Sequence, residues 1–264
     1  MTGESGTLPR SPVFLDLPDR RQKPRDGGIT HVLDTAIPLR LLECYLESTS
    51  HLVDIVKVGW GLSYVDPSHP ARLELCRRYG VHASTGGTLL EIVEAQGRLE
   101  AFVDWALSTG VDLVEVSNGL GMLSRQRKSA LIERLSRDFV VVAETGSKDQ
   151  RTVADPELWV TEMKADLDCG AKHVIAEGRE SGTVGLYGDD GDVRVEVFDA
   201  IVASVPIDRV IFEAPRKPQQ TWLIRHLGPE VNLGNIALHD VLPLETLRLG
   251  LRADTVAVHG AAIG

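Results

Sequence analysis

Residues 111–146 read VDLVEVSNGLGMLSRQRKSALIERLSRDFVVVAETG, and this window decides the fold. Asp112–Ser117 is a short apolar, β-branched run that stops at the polar cluster Ser117-Asn118-Gly119. Ser124–Arg137 is amphipathic, and Phe139–Ala143 is a second β-branched run, closed by Glu144, Thr145 and Gly146. A strand, an amphipathic helix and a further strand in this order form a βα unit whose strands pair in parallel.

Outward from this window the same pattern repeats in both directions. Strand-like runs cover Ile29–Asp34, Val53–Val58, Val81–Ser84, His173–Ala176, Arg209–Phe212 and Val231–Leu233. Helix-like stretches cover Pro38–Ser50, Pro70–Tyr79, Leu89–Ser108, Pro156–Gly170, Val195–Ser204, Gln219–Leu227 and Leu242–Gly250. Pro38, Pro70 and Pro156 stand at helix starts, where a missing N–H costs little, and Gly80, Gly110 and Gly170 follow helix ends. Eight such units in 264 residues predict an α/β chain forming a single (β/α)8 TIM-type barrel. Two small domains would also fit the length, but no boundary interrupts the repeat. An open doubly wound sheet usually has fewer strands, and no GxGxxG follows the first run. Residues 1–22, rich in Gly, Pro, Ser and Arg, read as a flexible or loosely docked arm, and 23–264 as the catalytic barrel. Leu251–Gly264 reads as a tail or a barrel cap.

Hydrophobic residues make up 43% of the chain, enough for one large core, and the net charge is −10. That charge argues against nucleic acid or an anionic membrane as partner, while leaving room for a local basic pocket that takes small anionic substrates. No run is long enough for a membrane span and no leader-like segment opens the chain, so a cytoplasmic setting is expected. Cys44, Cys76 and Cys169 show no CxxC spacing and read as free thiols, buried or half-buried on helices. A homo-oligomer is the general expectation for such an enzyme.

In parallel barrels the chemistry sits after the carboxyl ends of the strands. Those positions hold Asp34, Lys57, Gly86-Gly87-Thr88, Glu115 with Ser117, Glu144 with Lys148, Glu177 with Arg179, Glu213, and Asn232 with Asn235. One charged strand end is ordinarily a scaffold ion pair; a complete ring of polar strand ends points to a site, with one or two members left to the scaffold. So many carboxylates around one pocket require compensation by lysines or by a cation, and hard oxygen donors without His or Cys clusters suit Mg²⁺. Gly87 and Thr88 open a helix and could hold a phosphate or carboxylate, or simply make a turn. Asn232 and Asn235 flank the usual phosphate position of the eighth strand, with Arg216 and Lys217 adding positive charge after the seventh. Arg179 is a candidate bidentate clamp. Lys148 and Lys57 compete as general acid. His31, inside the first strand, reads as a core residue. Gly182–Arg194 reads as a solvated turn or mobile lid.

Taken in order, Gly28-Ile-Thr-x-Val-Leu-Asp34, Asp54-Ile-Val-Lys-Val-Gly-Trp-Gly61, Gly86-Gly-Thr-Leu-x-Glu91, Glu115-Val-Ser-Asn-Gly119, Glu144-x-Gly-x-Lys148, Glu177-Gly-Arg-Glu-Ser-Gly182, Phe212-Glu-Ala-Pro215, Val231-Asn-Leu-x-Asn-Ile236 and Leu244-Glu-Thr-Leu-Arg248 resemble the phosphosulfolactate synthase family of coenzyme M biosynthesis. The resemblance implies a Mg²⁺-dependent barrel adding sulfite to phosphoenolpyruvate through an aci-carboxylate to give (2R)-phospho-3-sulfolactate. It further implies Glu115, Glu144 and Glu177 as metal ligands, Lys148 as proton donor, and Lys57 and Arg179 as neutralising charges. Asp34, Gly87, Thr88, Ser117, Arg216, Lys217, Asn232 and Asn235 would contact substrate. The sequence departs from the family pattern at Thr35-Ala36, Leu62, Thr145 and Ser147, which leaves a different sulfur or phosphorus nucleophile open. The family also resembles plant heat-stress-associated proteins, so a non-catalytic relative is a further alternative.

Overall fold

A computed structural model describes residue 12 and residues 14–146 and 154–256. Eight parallel strands close into a barrel in sequence order: β1 (Thr30–Asp34), β2 (Ile55–Val58), β3 (His82–Thr85), β4 (Leu113–Val116), β5 (Val140–Thr145), β6 (His173–Ala176), β7 (Val210–Glu213) and β8 (Asn232–Ile236). Closure is made by β8 against β1, with Thr30 opposite Leu233 and Val32 opposite Ile236. Among the described residues, ten helices surround the barrel: α1 (Leu39–Thr49), α2 (Leu62–Val65), α3 (His69–Arg78), α4 (Gly87–Ala95), α5 (Leu99–Thr109), α6 (Arg125–Leu135), α7 (Pro156–Asp168), α8 (Val195–Ser204), α9 (Lys217–Leu227) and α10 (Val241–Arg248).

Strand side chains alternate between two apolar layers because successive Cβ atoms point to opposite faces. Ile29, Ile55, Leu113, Val142, Ile175 and Ile211 fill the barrel interior. Residues of the other parity, such as Val32, Val56, Val114, Val141, Val174 and Val210, pack outward against the helices. The interior plug leaves the upper ends of the strands as the place where polar side chains converge.

Two readings of the sequence are corrected here. The expected single helix over Leu89–Ser108 is α4 and α5, separated at Gly97, whose φ of +63° ends α4 at low steric cost. Cys44 is exposed on α1, whereas Cys76 is buried and Cys169 half-buried, all three free. Arg20, inside the segment read as an arm, and Lys23 and Arg25, just beyond it, are tied to the amino-terminal end of the barrel. Arg20 pairs with Glu230 and Glu245, Lys23 Nζ donates to the carbonyls of Ser50, Val53 and Gly80, and Arg25 pairs with Asp54 at 2.8 Å.

Candidate active site

A cleft of about 640 Å³, mouth included, opens at the carboxyl ends of the strands. Lys57, Glu115, Glu144, Glu177 and Glu213 form its floor, with Gly86, Gly87 and Thr88, Arg179 and Asn235 on its sides, and Leu33, Trp60 and Leu120 as its apolar part. Four non-glycine residues among those described have positive φ. Three of them line this cleft: Trp60 (49°), Arg179 (55°) and Asn235 (54°). Such backbone costs of order 1–3 kcal/mol each and concentrates where function over-determines geometry.

Lys57 is the charge centre of the floor. Its Nζ lies 2.9 Å from Glu213 Oε1 and 3.1 Å from Glu115 Oε2, all three side chains being buried. Burial alone would lower its pKa, but the carboxylates of Glu115, Glu213 and Glu144 outweigh burial and raise it well above the ordinary lysine value. The surrounding carboxylates therefore hold Lys57 in its charged form. Glu115 is raised too, but for an acid that favours the neutral form: burial and the neighbouring Glu144 and Glu213 push it up to about 7, against the pull of Lys57.

Glu144, Glu177 and Glu213 each place a carboxylate oxygen within 4.8 Å of the others. These three, from the ends of β5, β6 and β7, are the candidate metal set. Glu115, expected beside Glu144 and Glu177, adjoins this set: its Oε1 accepts the Gly87 N–H at 2.8 Å and its Oε2 faces Lys57. Glu213 meets Glu144 and Glu177 with oxygens that also accept from Lys57 Nζ at 2.9 Å and from the Gly178 and Arg179 amides, both at 2.9 Å. The donor set fits a hard divalent cation, since three buried carboxylates converge and Lys57 supplies only one compensating charge on the floor.

Several expected substrate contacts belong to the scaffold instead. Asp34 is buried, pairs with Arg72 at 2.5 Å and accepts the Ile37 N–H at 2.8 Å, so it braces the β1–α1 turn. Asn232 lies at the start of β8, where it accepts from Ile29 N and donates to the carbonyls of Asp208 and Val210. Ser117 donates to Glu91 Oε1 at 2.5 Å beneath Gly87, supporting the phosphate-type turn without lining the cleft. Lys217 is exposed and pairs with Asp254 at 2.7 Å; Arg216 is exposed and lies against Gly191. Both basic residues follow β7, at the start of α9, and neither lines the cleft.

Gly87, Thr88, Arg179 and Asn235 do line the cleft, and Asn235 Oδ1 is buried with no hydrogen-bond partner among the described residues. Lys148 lies outside the described residues. His31 is fully buried inside the barrel as expected; burial, Lys57 and His173 hold it well below its ordinary pKa and hence neutral.

The segment Gly182–Arg194 is not a solvated turn. Val184, Leu186 and Tyr187 are buried, and only its tip, with Asp189, Asp190 and Asp192, is exposed. Two residues escaped the strand-end rule. Lys128 on α6 and Tyr187 in this loop reach the site from behind, through backbone carbonyls, and nothing in their local sequence marks them.

The family model described as (2R)-phospho-3-sulfolactate synthase (ComA) matches residues 18–254. Phosphosulfolactate synthase of Bacillus subtilis is 38% identical over 244 residues, covering 91% of this chain and 97% of the relative. The phosphosulfolactate synthase of Methanothermobacter thermautotrophicus is 38% identical over 248 residues, covering 90% and 95%. Protein HEAT-STRESS-ASSOCIATED 32 of Arabidopsis thaliana is 22% identical over 264 residues, covering 89% and 90%. Among solved structures, 3-hexulose-6-phosphate synthase from Salmonella typhimurium superposes with a TM-score of 0.53 at 13% identity, over 84% of this chain and 99% of that one. At that identity the likeness concerns the barrel alone.

Proposed function

The chain belongs to the (2R)-phospho-3-sulfolactate synthase family, and from that premise we propose that it adds sulfite to the methylene carbon of phosphoenolpyruvate as a Mg²⁺-dependent carbon–sulfur lyase working in the synthetic direction. The observation that carries the reading is the convergence of the Glu144, Glu177 and Glu213 carboxylates beside a permanently charged Lys57 at the strand ends. A divalent cation held by these three carboxylates would supply Lewis-acid stabilisation of negative charge on the substrate carboxylate.

In this reading the sulfite lone pair forms the C–S bond at the methylene carbon. The displaced π pair moves into the substrate carboxylate as an aci-carboxylate, and a proton then reaches the carbon bearing the phosphate, giving (2R)-phospho-3-sulfolactate. Lys57 holds its proton and orients Glu115 and Glu213, fixing the field in which the aci-carboxylate develops. Arg179 and Thr88, with Asn235 opposite, line the walls where anionic groups bind. Lys148, in the motif Glu144-x-Gly-x-Lys148, is assigned the proton donor's role because Lys57 is too weak an acid for it. Small anionic substrates suit the cytoplasm. No helix among the described residues is long and apolar enough to cross a membrane.

The test is an incubation of the purified chain with phosphoenolpyruvate, sulfite and Mg²⁺. Enol absorbance should fall, and the sulfonate product appear by mass spectrometry, only with all three present. A folded protein that gives no product under these conditions overturns the assignment. Product from a thiol or another oxyanion, but not from sulfite, would move the proposal to that nucleophile.

A further inference from the structure

The three glutamates of the proposed metal set share a placement that their side chains alone do not explain. Glu144 stands one residue beyond the last β4–β5 pair, Val116 opposite Ala143. Glu213 stands one residue beyond the last β6–β7 pair, Ala176 opposite Phe212, and Glu177 is the first residue after β6. Their carbonyls have therefore run past the neighbouring strand, and a buried carbonyl needs a donor from elsewhere. Each has one. Lys128 Nζ donates to Glu144 O at 2.7 Å, the Leu186 amide to Glu177 O at 2.9 Å, and the Tyr187 hydroxyl to Glu213 O at 2.5 Å.

Two of these donors are side chains in fully buried positions, where an apolar residue of similar volume would pack without desolvating a charge or a hydroxyl. Lys128 spans from α6 to the end of β5 and is neutralised from α7, at 2.7 Å from Asp166 Oδ2 and 2.6 Å from Glu162 Oε1. The Tyr187 ring lies so close to Gly178 that a Cβ there would sit 2.7 Å from it, so the phenol has no room to swing away.

We propose that Lys128 and Tyr187 are positioning residues for the reaction, holding the backbones of Glu144 and Glu213 so that their carboxylates meet Glu177 at the separation a divalent cation requires. The inference rests on the metal reading above. Groups that orient metal ligands without touching the ion typically change affinity or activity about 10–100-fold when removed.

The test uses the full chain and calorimetric titration with Mn²⁺ and with Mg²⁺. Tyr187→Phe removes one oxygen and keeps the ring, and should weaken the cation about 10-fold or more while the protein stays folded. The Mg²⁺ concentration giving half-maximal turnover should rise by the same factor. Lys128→Met should act in the same direction. Asp166→Asn keeps the Lys128 contact to Glu144 while removing an ion-pair partner, so it should lower the melting temperature yet leave cation affinity within about twofold. Should Lys128→Met fail to fold, Tyr187→Phe decides alone. A folded Tyr187→Phe binding both cations within about twofold of the wild type overturns the inference and leaves the metal reading standing. A wild-type chain that binds neither cation overturns the metal reading, and the inference with it.

Discussion

Lys57 and Glu115 are a pair whose protonation is decided by neighbours remote in sequence. Burial and two further carboxylates hold Glu115 at about 7, against its ordinary value of 4.5. Between these values the folded chain binds a proton that the unfolded chain has released. The resulting stabilisation is full below about pH 4.5 and is lost as pH rises through about 7. In chelator, the melting temperature should therefore fall from pH 5.5 to 7.5. Glu115→Gln should flatten that fall, with a residual slope left by Asp166, which burial pushes up to about 6. Equal slopes for the two proteins would refute the assignment. The residue scale also shows the limit of local reading. The glutamates were legible because each closes an apolar run. Asp34 closes one too, yet Arg72 on α3, 38 residues later, claims it for the scaffold.

At the scale of elements, the loop between β6 and α8 is the part of the site that periodicity describes least well. Its sequence, Gly182 to Arg194, is polar and glycine-rich, which is what a solvated turn also looks like. Gly185 explains why it packs instead. Its φ is +63°, and a Cβ there would lie 2.2 Å from the Glu177 carbonyl oxygen, so the loop crosses the Glu177 backbone at a distance only glycine permits. Gly185→Ala should destabilise the chain by about 1–3 kcal/mol. It should also lower kcat/KM by at least about 10-fold through displacement of Glu177. Gly188→Ala, whose Cβ would meet the Asp190 carboxylate at 2.9 Å, should stay within about 0.5 kcal/mol of wild type. Thermal melts and steady-state kinetics on both variants separate the two; equal effects would discount the close crossing. The same physics divides α4 from α5: the apolar pattern runs on through Gly97, but backbone freedom there ends the first helix.

For the whole molecule, the barrel has two ends with different duties. The carboxyl end gathers the charged cluster, and the opposite end is closed by residues 20–28 and by Arg248. The Arg248 guanidinium is buried and donates to the carbonyls of Pro229, Val231 and Ile29 across the β8–β1 seam. Deleting 1–26 removes the Arg20, Lys23 and Arg25 contacts and leaves Asp54 without its buried partner. That should cost about 3–5 kcal/mol, or roughly 10 °C for a chain of this size. A deletion of 1–26 that melts like the longer chain would show that these contacts do not support the barrel.

The repeat of apolar run, polar stop and amphipathic stretch determined the barrel, the number of its strands and the end that carries the chemistry. Those properties follow from periodicity and from where a strand runs out of apolar residues, both of which are local. Which of the strand-end residues form the site was decided only by the tertiary structure. Strand register brings Glu144, Glu177 and Glu213 together at the ends of the neighbouring β5, β6 and β7, while Lys57 on β2 reaches across to Glu115 and Glu213. The partners that tie Asp34, Asn232 and Lys217 to the scaffold include residues from 22 to 203 positions away along the chain. Lys128 and Tyr187 reach their glutamates 16 and 26 residues away for the same reason. Charge pairing and hydrogen bonding depend on distance in space, and a linear sequence records only distance along the backbone.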